Sequence, residues 1–250
     1  MKNALVIGGL SGIGKGMANA LASYYDNVFI ADIRVQPQDV TDRLLYVDAL
    51  DVTAVTALRL QLSTIISHID ALVITIGVID EGCVTQVPPE KWEWMLKSNL
   101  LGSVLLVDAF LPMLTAGTEA RIMLTGSGCG WGRVQAAAGL GLYTVTKHAM
   151  NGYYKALKAE LAPQHIQVSL LVPSAVKGNL AIHSAAFRTS RLGEPYADNK
   201  GQQPAGRVLA DADEAGRAFV ADFVAGKAII TNNAEQLRSK GMEDLEDVSF

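Results

Sequence analysis

The 250-residue chain is half hydrophobic and 18% charged, with a formal charge of −4 and a pI near 5.6. That composition excludes a disordered chain, gives ample material for a buried core, and leaves no broad basic surface for nucleic acid or an anionic membrane. With Cys83 and Cys129 as its two cysteines, the chain has neither a disulfide framework nor metal-ligand spacing, so no metal is expected and a reducing, cytoplasmic setting is.

Short apolar runs alternate with longer amphipathic ones. Ala4-Leu5-Val6-Ile7 reads as a first strand, followed by a glycine turn and a helix over 14–25 with Met17 and Leu21 on its packed side. The first strand starts almost at Met1 and is interrupted by Gly8 and Gly9, too soon for a signal peptide, and no apolar run is expected to reach the ~18 residues of a membrane span. Strands follow at 28–31, 44–47, 71–74, 121–125 and 167–172, separated by helices at 53–67, 90–115 and 143–161. Continuous Val, Ile and Leu runs between helices are what a parallel sheet buried on both faces requires, which predicts a single domain over 1–250 with doubly wound α/β, Rossmann-like, three-layer α-β-α architecture. After Pro173 periodicity is lost. Residues 177–207 are rich in Gly, Ser, Arg, Asn and Gln with little periodicity, and are expected to form a substrate lid or a mobile segment. A helix over 211–225 and a strand over 228–231 close the pattern, and the acidic tail 243–250 is expected to fray.

Two stretches carry chemistry. Gly8-Gly9-Leu10-Ser11-Gly12-Ile13-Gly14 lies between the first strand and the first helix. Glycine there lets the backbone turn tightly and approach a ligand, and the free amides opening the helix favour a pyrophosphate. Gly9-x-x-x-x-Gly14-Lys15 also matches most of a P-loop, but Gly16 stands where that loop needs a magnesium-binding hydroxyl. Asp32 ends the second strand, where a carboxylate hydrogen-bonds adenosine ribose hydroxyls and repels a 2′-phosphate, so NAD is favoured over NADP; Arg34 pulls the other way. The second stretch is Tyr143-Thr144-Val145-Thr146-Lys147. Four positions on a helix place a phenol and an ammonium on one face, one turn apart, and a neighbouring cation favours the phenolate.

With the glycines at 8, 12 and 14 and Tyr143-x-x-x-Lys147 downstream, the chain resembles the short-chain dehydrogenase/reductase family, from about residue 5 to about 176 and more loosely over 211–231. The resemblance implies an NAD-dependent oxidoreductase that interconverts a secondary alcohol and a ketone. In it Tyr143 is the proton donor or acceptor, Lys147 holds the nicotinamide ribose and steadies the phenolate, Ser127 orients the substrate oxygen, and Asn99 holds a proton-relay water. It further implies cofactor contacts from Gly8, Ser11, Gly12, Ile13 and Gly14, from Asp32, from Asp51 and Val52 at the adenine (with Asp48 as an alternative register), from Ile76 and Gly77, and from Pro173 and Val176 beside the nicotinamide. Homodimers or homotetramers through the helices at 90–115 and 143–161 are the family's habit.

Departures accompany the match. The family's Asn-Asn-Ala-Gly after the fourth strand is here Ile74-Thr75-Ile76-Gly77, so the asparagine contacts need a substitute. Ser174 replaces a glycine, and Gly178 a threonine near the carboxamide. The glycine-rich loop 128–142, with Cys129, Trp131, Arg133 and an alanine run, is longer than usual and suggests an apolar or aromatic-sized substrate. Trp131 is read either as a wall of that site or as a contact with a neighbouring subunit. Arg188 and Arg191 are read as solvated or as partners for an acidic substrate group, Cys129 as a pocket-lining thiol, and His68, His148, His165 and His183 as structural. A dinucleotide-binding sensor or scaffold that has lost turnover is the alternative of another class.

Overall fold

The computed structural model describes residues 1–81, 84–117, 119–131, 139–195 and 209–239. Its seven-stranded sheet grows from the apolar runs. β1 (Asn3–Ile7) and β4 (Ala71–Ile74) are buried at every position, because helices cover both faces and no alternation is needed. β2 (Asn27–Asp32), β3 (Leu44–Tyr46), β5 (Arg121–Thr125), β6 (Gln167–Leu171) and β7 (Ile229–Ile230) complete it in the order β3-β2-β1-β4-β5-β6-β7, all parallel. The chain winds outward from β1 to β3, then returns to β4 on the other side of β1. The carboxyl ends of β1 and β4 therefore flank the switch point, where a doubly wound sheet leaves a crevice for a ligand.

On one face α2 (Val52–Ser63), α4 (Gly102–Thr115) and α5 (Gly141–Leu161) bury Leu58, Leu62, Phe110 and Tyr154 against the strands. On the other, α1 (Gly12–Leu21) and α7 (Ala212–Val224) bury Met17, Leu21, Phe219 and Phe223. Those two helices meet through glycine: a Cβ at Gly16 would lie 2.0 Å from the Ala212 carbonyl oxygen, and one at Gly216 2.3 Å from the Gly16 carbonyl carbon.

The helix expected over 90–115 is α3 (Pro89–Leu96) and α4 joined by one π turn, Lys97–Leu101. Contrary to the sequence expectation, the 27 residues Pro89–Thr115 are long and apolar enough to span a bilayer by length and composition. Half of its most apolar 18-residue window is buried inside the protein, as the apolar face of a core helix is. Within 177–207, where the sequence shows little periodicity, the chain forms α6 (Leu180–Leu192). Its inward side includes Ser184 and Arg188 as well as Ala185, so its buried stripe carries no hydrophobic period to read. A short α8 (Ala234–Ser239) follows β7. The rest of the expected lid, 196–207, and the tail 243–250 lie outside the described residues.

Candidate active site

The end of β5 and the first turns of α5 bring Ser127, Tyr143 and Lys147 together. Ser127 follows the strand with extended backbone and caps the 3-10 turn Gly128–Gly130, its Oγ accepting from the Cys129 amide at 3.2 Å. Tyr143 and Lys147 are 8% and 3% exposed. The Ser127 side chain stands close enough to the Tyr143 hydroxyl to favour its phenolate. Lys147 Nζ lies 5.6 Å from the centre of the Tyr143 ring and donates to the Thr125 carbonyl at 3.0 Å. The serine turn is seated on α5 by close backbone contact: a Cβ at Gly130 would fall 2.5 Å from the Lys147 carbonyl oxygen, and Asn151 Nδ2 donates to the Gly130 carbonyl.

Asn99 joins this group from the π turn, a distortion that re-aims a side chain within a continuous helix. Its Oδ1 accepts from the Val78 amide at 2.7 Å, and its Nδ2 donates to the Val78 carbonyl and to Thr146 Oγ1, both at 2.9 Å. Thr146 Oγ1 in turn donates to the Tyr143 carbonyl at 2.8 Å. Both amide hydrogens of Asn99 are thus spent on protein, and its visible role is to fix the loop after β4 against α5. At Gly77, in that loop, a Cβ would lie 3.1 Å from Asn99 Oδ1 and 3.5 Å from Lys147 Nζ.

Burial dominates the electrostatics. It pushes the Tyr143 phenol up to about 12, against the lowering effect of the Ser127 hydrogen bond. The lowering of the phenol expected from Lys147 is not seen in the protein alone: Lys147 is not among the groups that set the shift. Burial also brings the Lys147 ammonium down to about 8. At neutral pH the free protein holds a protonated phenol, facing a serine hydroxyl, beside a cation that titrates close to that range. Val78, Trp94, Met95 and Leu142 pack around Tyr143, and Phe187 of α6 closes on Trp94 with ring centres 6.2 Å apart. Cys129 packs against the same cluster, as a pocket-lining thiol would.

The glycine turn after β1 forms the other half of the crevice. Gly8 and Gly12 have φ of +84° and +51°, conformations that side chains disfavour. Ser11, in extended conformation ahead of α1, makes no side-chain cap, so its hydroxyl does not compete for the opening amides around Ile13. A cofactor's pyrophosphate fits this uncapped helix end. The missing family asparagine is replaced by Thr75, whose Oγ1 donates to the Ile7 carbonyl at 2.9 Å and approaches that of Gly8 at 3.3 Å. A Cβ at Gly14 would meet the Gly8 carbonyl oxygen at 2.3 Å, so glycine is needed there to keep the turn closed. Ile76 packs under Gly102, and Pro173 and Val176 lie half-buried beyond β6, with Val176 bridged to Ala210.

The P-loop reading fails here. Lys15 is exposed, and the position of the missing hydroxyl, Gly16, is filled by α7, with no room for any side chain.

At the adenosine end, Asp32 is 4% exposed and is bound by Arg34. Burial alone would raise its carboxyl, but hydrogen bonds from the side chain and backbone of Arg34, the charge of Arg34 and the Leu10 amide hold it below the usual value. Asp51 is exposed and caps α2 by accepting from the Thr53 amide at 2.8 Å, and Val52 beside it is exposed. Asp48 is the buried carboxylate of the two, with Oδ1 on the Leu50 amide at 2.9 Å and Oδ2 paired with Arg191.

Several residues differ from their expected places. Arg188 is neither solvated nor free for substrate: it is buried and ion-paired with Asp80, while Lys91 meets Asp80 at 2.7 Å and Glu194 reaches Arg188 and Lys91 at 3.2 and 3.4 Å. Ser184 Oγ accepts from the Ile79 amide at 2.9 Å, completing the seat of α6 on the loop after β4. Trp131 packs on the core with Lys155 Nζ 5.8 Å from the centre of its ring. His183 lies against Arg34. His148 bonds the Thr144 carbonyl, His68 pairs with Asp70 and His165 ends a 3-10 turn, all structural as expected. Cys83, Arg133 and the alanine run lie outside the described residues. Thr146, Asn151, Asp80 and Ser184 carry no local signal, because the partners that bring them to the site (Asn99, Gly130, Arg188 and Ile79) are distant in sequence.

A family model described as short chain dehydrogenase matches residues 2–188. Oxidoreductase UcpA of Escherichia coli (strain K12) is 28% identical over 189 residues, covering 72% of this chain and 71% of its own. Among solved structures, a short chain dehydrogenase/reductase from Burkholderia phymatum in complex with NAD superposes with a TM-score of 0.80 at 21% identity, covering 98% of this chain and 94% of that one. The Pseudomonas aeruginosa RhlG/NADP active-site complex gives a TM-score of 0.73 at 22% identity, covering 94% and 96%. At such identities the structural likeness shows a shared Rossmann-like fold.

Proposed function

The chain belongs to the short-chain dehydrogenase family, and from that premise we propose that it is an NAD-dependent oxidoreductase interconverting a secondary alcohol and a ketone. The observation that carries this reading is the half-buried Ser127 hydroxyl facing the buried Tyr143 phenol beside Lys147, at the edge of the switch-point crevice. A bound nicotinamide supplies or accepts the hydride. The protein's own residues handle the oxygen and its proton. In reduction Tyr143 Oη gives its proton to the carbonyl oxygen while Ser127 Oγ donates a hydrogen bond to the same atom. In oxidation the proton passes back from the alcohol to Tyr143. Lys147, held by the Thr125 carbonyl, places positive charge under the phenolate as it forms. Val78, Trp94 and Leu142 exclude water and favour an apolar or aromatic substrate.

For the cofactor, Gly8, Ser11, Gly12, Ile13 and Gly14 would hold the pyrophosphate and Asp32 the adenosine ribose. Asp51 and Val52 would border the adenine, Ile76 and Gly77 the adjoining ribose, and Pro173 and Val176 the nicotinamide. Leu101 and Val145, exposed on the two long helices, support pairing of copies through those faces. A cytoplasmic setting accords with the two widely spaced cysteines. Following NADH absorbance across a panel of secondary alcohols, after calorimetry with NAD, tests the proposal. Turnover on at least one apolar alcohol is expected; tight NAD binding with no turnover on any would point instead to a sensor.

A further inference from the structure

Helix α6 lies across the adenosine half of the crevice. Gly178, just ahead of it, has its Cα 3.7 Å from where a Cβ at Gly12 would stand, and Arg191 near its end pairs with Asp48 after β3. Between them His183 faces Arg34, whose Nη1 is 3.3 Å from Nε2 of the ring and 3.5 Å from Nδ1. An ionised carboxylate offers about four lone-pair sites, and Asp32 uses that many. Oδ1 accepts from the Arg34 amide at 3.0 Å and Nε at 2.9 Å; Oδ2 accepts from the Leu10 amide at 3.2 Å and Arg34 Nη2 at 2.8 Å. A ribose diol can bond Asp32 fully only by displacing the Arg34 side chain.

We propose that Asp32, Arg34 and His183 form a cofactor selector in which Arg34 guards Asp32 against the ribose diol and, with protonated His183, receives a 2′-phosphate, so that NAD is taken when His183 is neutral and NADP is admitted when it is charged. The selector rests on the reading that this crevice holds the adenosine half of a dinucleotide. Its charge logic is direct. Asp32 and Arg34 cancel, leaving a neutral site that gains nothing from two further negative charges. A proton on His183 makes the site net positive, and a guanidinium beside an imidazolium forms a two-pronged phosphate site. Arg34 and Asp32 are the charged groups that face the ring among the described residues; burial first and Arg34 second hold His183 below its ordinary value, against the opposing pull of Asp32. At neutral pH the ring is therefore uncharged and NAD is the cofactor selected.

Calorimetry on the full chain with 5′-AMP and with 2′,5′-ADP, at pH 6 and pH 8, tests this without turnover. The expected result is a preference for 2′,5′-ADP that is about tenfold stronger at pH 6 than at pH 8 relative to the same ratio in His183→Asn, corresponding to one unit of coupling. Comparing the two proteins cancels the titration of the ligand's own phosphate. Arg34→Ala is expected to bind 5′-AMP more tightly and 2′,5′-ADP more weakly. Identical pH responses in wild type and His183→Asn, or weaker 5′-AMP binding in Arg34→Ala, would overturn the selector while leaving the dinucleotide site standing. If neither nucleotide binds the wild type, the reading of the crevice fails and the selector with it.

Discussion

The two ends of the crevice are built on opposite principles. At the reacting end Ser127 and Lys147 are held by hydrogen bonds with the backbone and no counter-charge, and burial leaves the Tyr143 phenol well above, and the Lys147 ammonium well below, their ordinary values. At the adenosine end the buried carboxylates have counter-charges: Asp32 with Arg34 and Asp48 with Arg191. Uncompensated groups in a dry site are poised to move a proton. Compensated ones are poised to exchange partners with a ligand, which is a matter of binding and selection. Substitutions at the first end should therefore change turnover, and at the second, affinity.

The largest expected effect is at the reacting end. Ser127→Ala removes the second hydroxyl on the substrate oxygen and should lower kcat by about 10²-fold or more, with dinucleotide affinity unchanged, as steady-state kinetics beside calorimetry will show. Next comes the seat of α6. Asp80→Ala leaves Arg188 and Lys91 without their buried carboxylate and should cost about 3 kcal/mol, seen as a lower urea midpoint; an unchanged midpoint would mean the cluster contributes nothing to the fold. Smaller again, Asp32→Asn should weaken NAD binding by about tenfold, about 1.4 kcal/mol, with kcat at saturating NAD preserved. The smallest effect separates the two titrating groups. Because Lys147 is protonated below about 8 and loses its proton above, whereas Tyr143 stays protonated up to about 12, kcat/KM for NADH in ketone reduction should be flat below pH 8 and decline above it. A profile flat through pH 10 would contradict the assignment to Lys147.

Much of the frame was legible from residues alone. Strands buried on both faces are written as continuous apolar runs, and a glycine turn before an amphipathic helix announces a phosphate site, so β1, the turn at 8–14 and the Tyr143–Lys147 spacing could be read directly. What was hidden depends on distance. Helix α6 has no hydrophobic period, because Ser184 and Arg188 face inward to meet Ile79 and Asp80, more than a hundred positions earlier in the chain. The π turn at Asn99 leaves no mark in composition, since a single wider turn asks for no particular residue. The direction of the Tyr143 shift is set by burial, with no contribution from the nearby cation that the spacing suggests. Gly16 was read as a missing hydroxyl. Its cause is the backbone of α7, 2.0 Å from where its Cβ would be.

The division between a reacting end and a selecting end is tested most directly by Tyr143→Phe, with kcat and the NAD dissociation constant measured on the same preparation. Loss of about 10³-fold in kcat with NAD binding unchanged is the predicted result. Turnover equal to wild type, or a parallel loss of both quantities, would contradict it.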